Sequence, residues 1–161
     1  MSKVTTTVPL QNVTADVIDQ IKHEVERRSY LAANELRNAA QLVLRGQRNG
    51  RRYKVPGTYR RQRDKVDGKM KNGRYYTASA PGEPPAVRTG AFRLSWQPTA
   101  KVVFGSYISR IESDLRTDNG GHTLGQILED GTSKMAPRPY QDAILDKAVK
   151  PIFKIYSQPY F

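Results

Sequence analysis

The sequence contains no cysteine. Disulfides, thiolate-bound zinc, iron–sulfur clusters and a cysteine nucleophile are therefore excluded. No run approaches about 18 consecutive apolar residues, so no segment is expected to span a membrane. The opening Met1-Ser2-Lys3-Val4-Thr5-Thr6 leads into no long apolar stretch of the kind that drives secretion. These absences predict a chain made in a cytosol and kept soluble. Apolar residues make up only 37% of the 161, below the ~45–50% of ordinary globular domains. The length suffices for one domain (residues 1–161) with a real core. The apolar shortfall then points to extended segments, or to monomers that share their cores in an oligomer. Catalytic signatures are missing too: there is no Gly-x-x-x-x-Gly-Lys phosphate loop and no Gly-x-Ser-x-Gly elbow. The two histidines, His23 and His122, are far apart and neither has ligand spacing around it. His122 follows Asp114 and Asp118, an arrangement that a glycine-rich turn explains without a metal. No catalytic residue, metal site or cofactor is expected.

Positive charge is what the chain has in excess, and it is unevenly placed. Residues 1–44 are balanced, with five basic and five acidic residues, whereas residues 45–74 hold twelve basic and only two acidic. Residues 75–161 hold ten basic and eight acidic, so nearly all of the net charge of +12 lies in one thirty-residue block. Such a block speaks about a partner or a solvated loop rather than about the fold.

Residues 1–12 read as an extended arm of Thr and Val with a proline at position 9. Thr14 then offers a side-chain oxygen to the free amides of a helix, with Asp16 well placed in its first turn. Ile18, Ile21, Val25, Ala32, Leu36, Ala39 and Val43 recur at helical spacing and define one apolar face up to Gly46. A helix over Thr14–Arg45 would be about 45 Å long, more than one sheet needs, so either it is kinked near Arg28-Ser29, where the face is interrupted, or its far end packs on another subunit; a continuous or gently bent helix is the favoured reading. Residues 47–78 show no periodicity; Asn72-Gly73 predicts a hairpin turn between Lys69-Met70-Lys71 and Arg74-Tyr75-Tyr76-Thr77, so the block reads as a basic loop or hairpin arm.

Beyond it, Thr89 caps a short helix over Gly90–Ser95, and Lys101–Ile111 reads as one strand with a bulge or bend at Gly105. Asp118-Asn119-Gly120-Gly121 is a turn, Thr123 caps a helix over Leu124–Asp130, and Gly131 ends it in the left-handed conformation. Pro139 fits the first turn of a C-terminal helix in which Tyr140, Ile144, Ala148 and Ile152 repeat at four, with Pro151 bending or ending it. The fold class is α+β: a long N-terminal and a C-terminal helix packed on a three- or four-stranded antiparallel sheet, with a basic arm projecting.

Two proline- and glycine-rich runs remain. The first is Ser79-Ala80-Pro81-Gly82-Glu83-Pro84-Pro85-Ala86-Val87-Arg88-Thr89-Gly90-Ala91-Phe92-Arg93, and the second is Leu128-Glu129-Asp130-Gly131-Thr132-Ser133-Lys134-Met135-Ala136-Pro137-Arg138-Pro139-Tyr140. Over roughly residues 79–148 they resemble the paired signatures of the tail-completion (minor tail, neck, head–tail joining) proteins of long-tailed phages. An aromatic-Ala pair that is usual in that family is Leu124-Gly125 here. The resemblance implies a structural virion protein and not an enzyme. It would be assembled in the host cytoplasm and located at the tail or neck. Six copies would form a homo-oligomeric ring between the head-side connector or stopper proteins and the tail-tube protein, with DNA in the channel.

Site residues follow from both readings. Arg48, Arg51, Arg52, Tyr53, Lys54, Tyr59, Arg60, Arg61 and Arg63 have the composition of an arm that contacts phosphates and stacks on bases, or that docks on an acidic protein face. A solvated loop that orders on assembly has the same composition. The competing function is a basic nucleic-acid-binding accessory protein. Gly90 and Gly131 are read as backbone positions. Glu129 in a short helix calls for an arginine fork from Arg88, Arg93 or Arg138; the resemblance implies Arg138, next to Pro139, because the two elements lie near each other in that family, and the alternative is two unrelated surface charges. Trp96, Phe92 and Tyr140 are read as core.

Overall fold

A computed structural model describes residues 10–55, 62–63, 70–71, 74–117 and 122–160. The N-terminal helix, α1, runs without interruption over Leu10–Arg45, about 54 Å at 1.5 Å per residue. It therefore starts four residues ahead of Thr14, and the last residues of the expected arm are helical; residues 1–9 lie outside the description. Gly46 closes the helix, its N–H donating to Val43 O at 3.3 Å.

The basic block folds back on itself. Strands β1 (Arg52–Lys54), β2 (Gln62–Arg63), β3 (Met70–Lys71) and β4 (Tyr75–Thr77) pair antiparallel as β1 with β4 and β2 with β3. Tyr53 faces Tyr76, and Arg63 faces Met70. The chain thus goes out along β1 and β2 and returns along β3 and β4, as a hairpin arm. Asn72-Gly73, expected as its turn, lies outside the described residues. The strands on either side of that pair, β3 and β4, are bonded to β2 and β1 and not to each other. At the foot, Gly50 N–H donates to Ala78 O at 3.0 Å and Ala78 N–H to Arg51 O at 2.9 Å.

After the proline-rich turn come α2 (Ala91–Leu94), β5 (Gln97–Val103) and β6 (Ser106–Glu112). Gly90 is the N-cap of α2 at φ 87°, and Thr89 Oγ1 accepts from Ala91 N–H at 3.3 Å. The single strand expected over Lys101–Ile111 is two strands of a tight hairpin. Its two-residue loop is Phe104-Gly105, at φ 50° and 76°. Positive φ at both loop residues is the twist-matched hairpin geometry, but Phe is a poor carrier of it, so the sequence offers no signal there. Among the described residues every sheet is a two-stranded pair. The protein is α+β, with a hairpin where a sheet of three or four strands was expected.

Helix α3 (Leu124–Asp130) begins after Thr123, as predicted, but without a side-chain cap. Leu115 O instead accepts the Leu124 N–H at 2.8 Å. The Asp118–Gly121 turn lies outside the described residues. The last helix, α4, spans Gln141–Tyr156 with Tyr140 as N-cap and Pro151 inside it. Pro139 therefore precedes the helix rather than occupying its first turn, and Pro151 does not end it.

α1 packs against α4 and against both strands of the β5–β6 hairpin. Alanines make this close: Ala32, Ala33, Ala39 and Ala40 are buried, and with Leu44, Trp96, Tyr140, Ile144 and Ala148 they form the core. Burial of Ile144 alone contributes roughly 1.5–3 kcal/mol. Phe92, Trp96 and Tyr140 meet edge-to-face with ring centres 5.4–5.9 Å apart. Burial, with the nearby Glu129 charge, pushes the Tyr140 hydroxyl up to about 12. Gly125 is needed beside it, because a Cβ there would lie 2.7 Å from the Tyr140 oxygen.

The break in the apolar stripe of α1 turns out to be as enclosed as its alanines, since Arg28 and Ser29 are 1% and 0% exposed. Arg28 donates to Gln158 O at 2.7 Å, to Pro159 O at 2.6 Å and to Glu24 at 2.7 Å, and its guanidinium lies 4.0 Å from the Tyr160 ring centre. Ser29 O accepts from Ser109 Oγ at 2.7 Å, and its own hydroxyl meets that of Tyr156 at 3.3 Å. Polar bonds thus lock α1 to β6 and to the C-terminal tail. Ahead of this lock, no residue from 14 to 27 is buried.

Candidate functional site: a basic arm and an arginine-lined groove

In the arm, alternation of short strands puts cations and tyrosines side by side. Arg52 lies 4.7 Å and Lys54 5.8 Å from the ring centre of Tyr75, Arg51 lies 5.7 Å from that of Tyr53, and Tyr53 stacks on Tyr76 at 6.0 Å. Arg51, Arg52, Tyr53 and Lys54 are all exposed. The expected basic–aromatic surface therefore exists at this end of the arm, with tyrosines acting as platforms for its own cations. Arg63 sits at the end of β2; Tyr59, Arg60 and Arg61 lie outside the described residues.

Arg48 does not belong to that surface. Its guanidinium turns inward, donating to Val43 O at 2.7 Å, Gln47 O at 2.8 Å and Pro85 O at 3.2 Å. It satisfies a carbonyl in the last turn of α1 and ties that turn to the proline-rich segment. Burial pulls its pKa down, and Glu83 opposes the shift. Glu83 in turn accepts from Asn49 N–H at 3.1 Å, Asn49 Nδ2 at 2.7 Å and Ala80 N–H at 2.9 Å, bonds that hold its carboxyl below the usual range, the one from Ala80 most. The foot of the arm is thus part of the body.

The two family-like runs come together in space, but not through the expected ion pair. Glu129 Oε2 accepts the Tyr140 N–H at 3.0 Å and so caps the start of α4. Arg138 donates to Ser79 Oγ, and its own N–H donates to Leu128 O at 2.8 Å. Both residues stitch α3 to the approach of α4, each to a partner other than the other. A carboxylate beside a free N-terminal amide needs no arginine, and that amide lies eleven residues away, beyond the reach of pattern reading. Gly131 has φ 77° and ψ −170°, which is not the left-handed helical region but a more restricted one open essentially to glycine alone.

Sequence reasoning missed a groove. Between the arm's foot, α2 and α3 lies a volume of about 930 Å³ whose walls carry Arg51, Arg88, Arg93 and Arg138, and no carboxylate among the described residues lines it. Leu44, Val87, Phe92, Leu128 and Met135 form its apolar lining. A signal for it was present, because the chain holds no Asp or Glu between Glu83 and Glu112. The carboxylates gather elsewhere: a second cleft of about 470 Å³ is lined by Glu112, Asp114, Glu129 and Asp130 together with Trp96 and Tyr140. His23 and His122 are both exposed, and no group of acids and histidines among the described residues is placed to hold a metal. In comparisons with known proteins, no family model, no curated protein and no solved structure matches this chain.

Proposed function

We propose that the protein is a structural component of the neck or tail end of a long-tailed phage. Six copies assemble into a ring that completes the tail and joins it to the head connector. It acts by docking and not by chemistry. The observation that carries this reading is the spread of large exposed apolar side chains over separate elements. Val17, Ile18 and Ile21 lie on the free part of α1, Phe104 at the hairpin tip is fully exposed, and Leu145, Val149 and Phe153 lie on α4. A ring subunit touches neighbours on both flanks and rings above and below, and needs several such faces. The motif resemblance supports the same class.

The exposed cation–tyrosine face of the arm favours a second reading, a basic nucleic-acid-binding accessory protein, and one variant separates the two. Arg51, Arg52, Arg60 and Arg61 are changed together to Ser. Docking on a neighbouring ring predicts that DNA binding changes little while joining of purified heads to tails is abolished. Phosphate binding predicts that the log–log salt dependence flattens by about 0.9 for each phosphate no longer neutralised. Normal joining by this variant refutes the docking reading.

A further inference from the structure

Among the described residues, none of the four arginines of the groove takes part in an ion pair, and Arg93 has no hydrogen-bond partner. The Nε atoms of Arg93 and Arg138 are buried without a partner. A half-buried guanidinium left unpaired is unfavourable, and a fork held in place without its carboxylate is a receptor for one. The apolar lining narrows the occupant further. A phosphodiester chain would satisfy the arginines and leave Val87, Leu128 and Met135, which the chain itself does not bury, uncovered. Both features are met by a segment that carries carboxylates and large apolar side chains on one face.

Helix α4 presents such a face. At about 100° per residue, Asp142, Leu145, Asp146, Val149 and Phe153 fall within one arc of about 100°. This arc is turned away from the buried Ile144 and Ala148. Leu145, Val149 and Phe153 are 54%, 60% and 73% exposed. Asp142 and Asp146 are also exposed, and neither forms an ion pair among the described residues. Like charges at this spacing oppose the helix unless something compensates them. The helix dipole accounts for Asp142 in the first turn, but not for Asp146 or for the three apolar residues. Lys147, Lys150 and Lys154 lie on the adjoining arc and leave the stripe acidic.

We infer that the outer stripe of α4 of one copy seats in the arginine-lined groove of another copy. Leu145, Val149 and Phe153 cover the apolar lining, and Asp142 and Asp146 meet the guanidinium walls. The stripe from Leu145 to Phe153 is about 12 Å long, the scale of a helix laid into a groove. Stripe and groove share no residue, so the contact is heterologous. Each copy keeps one of each free, and repetition closes a ring or extends a filament. The inference rests on the self-assembly part of the proposed function and is independent of any role in a virion.

Two charge-reversed variants test it: Asp142→Arg with Asp146→Arg, and Arg88→Glu with Arg93→Glu, with Arg88→Gln/Arg93→Gln as a milder form should the second fail to fold. Thermal melts establish folding, and sedimentation velocity reads the size. The wild-type protein is expected to form species larger than a dimer. Each variant alone is expected to lose association by at least about tenfold per reversed pair. Mixed together, the two variants should assemble again into species larger than a dimer, because the unchanged groove of the first takes the unchanged stripe of the second and the reversed stripe of the first is complementary to the reversed groove of the second. A wild-type protein that stays monomeric overturns the inference, as does wild-type assembly by either variant alone, or a mixture in which the variants do not associate. Head-to-tail joining is scored separately, so the neck reading stands or falls on its own assay.

Discussion

Gly131→Ala should destabilise the fold more than any other single methyl group added at a positive-φ glycine. Gly131 ends α3 with φ 77° and ψ −170°, and its N–H donates to Ile127 O at 3.0 Å. A side chain in this backbone region costs about 1–3 kcal/mol from strain alone. A clash adds to it, because the new Cβ would lie 2.7 Å from Met135 O and 2.8 Å from Pro137 N. Neither backbone atom can retreat freely. Met135 O accepts the Thr132 N–H at 2.8 Å, and the next residue after Pro137 is held by its bond to Leu128 O. The sum is about 2–4 kcal/mol, within the upper range of single substitutions that strain a special backbone site. At roughly 2–4 °C per kcal/mol for a chain of this size, Tm should fall by about 4–16 °C.

Gly82→Ala is the control. Gly82 has φ 79° but nothing within 4 Å of its would-be Cβ, so it registers strain without clash, about 1–2 kcal/mol. Differential scanning calorimetry of both variants separates the two contributions. A Gly131→Ala protein that melts within a degree of the parent, or at no lower a temperature than Gly82→Ala, would refute the clash argument.

Three further outcomes are expected. Hydrogen bonds from Arg27 and then Arg28 hold the Glu24 carboxyl down to about 2 from 4.5. Its contribution is therefore complete above about 4.5 and is lost as pH falls through about 2. The stability gap between wild type and Glu24→Gln should narrow across that window, and a gap constant from pH 5 to 2 would contradict it. Replacing residues 55–74 by Asn-Gly closes the paired Lys54 and Tyr75 with a two-residue hairpin loop. Helical circular dichroism and cooperative melting should survive, whereas a molten product would mean that the arm belongs to the core. Phe104→Asn at the tip loses no packing, because Phe104 is fully exposed, and it relieves a positive φ of 50°. Tm should rise by about 2–4 °C, the equivalent of ~1 kcal/mol of strain, and a fall in Tm would show that Phe104 is held by contacts within the chain.

Which features are legible in the sequence depends on how far a residue's partner lies from it. α1 beyond Thr14, α3, α4, the core role of Phe92, Trp96 and Tyr140, and the stop of α3 at Gly131 rest on spacing and turn chemistry within a few residues, and all are present, although Gly131 lies outside the left-handed helical region expected for it. The β5–β6 hairpin escapes pattern reading because its loop begins with Phe104, where the usual signal would be Asn or Gly. The outer strand of the arm's foot, β1, is exposed at every position, so no alternation marks its register. Polar side chains paired to distant backbone are hidden altogether. Arg28 reads as a gap in an apolar face, yet its partners Gln158 O and Pro159 O are 130 and 131 residues away. Residue types suggest an ion pair for Glu129, whereas the atom it meets, Tyr140 N–H, is one that every residue but proline possesses. The groove follows the same rule in reverse: Arg51, Arg88, Arg93 and Arg138 are scattered along the chain, and what unites them is that no acid among the described residues lines the walls they share. That absence makes them available to another chain.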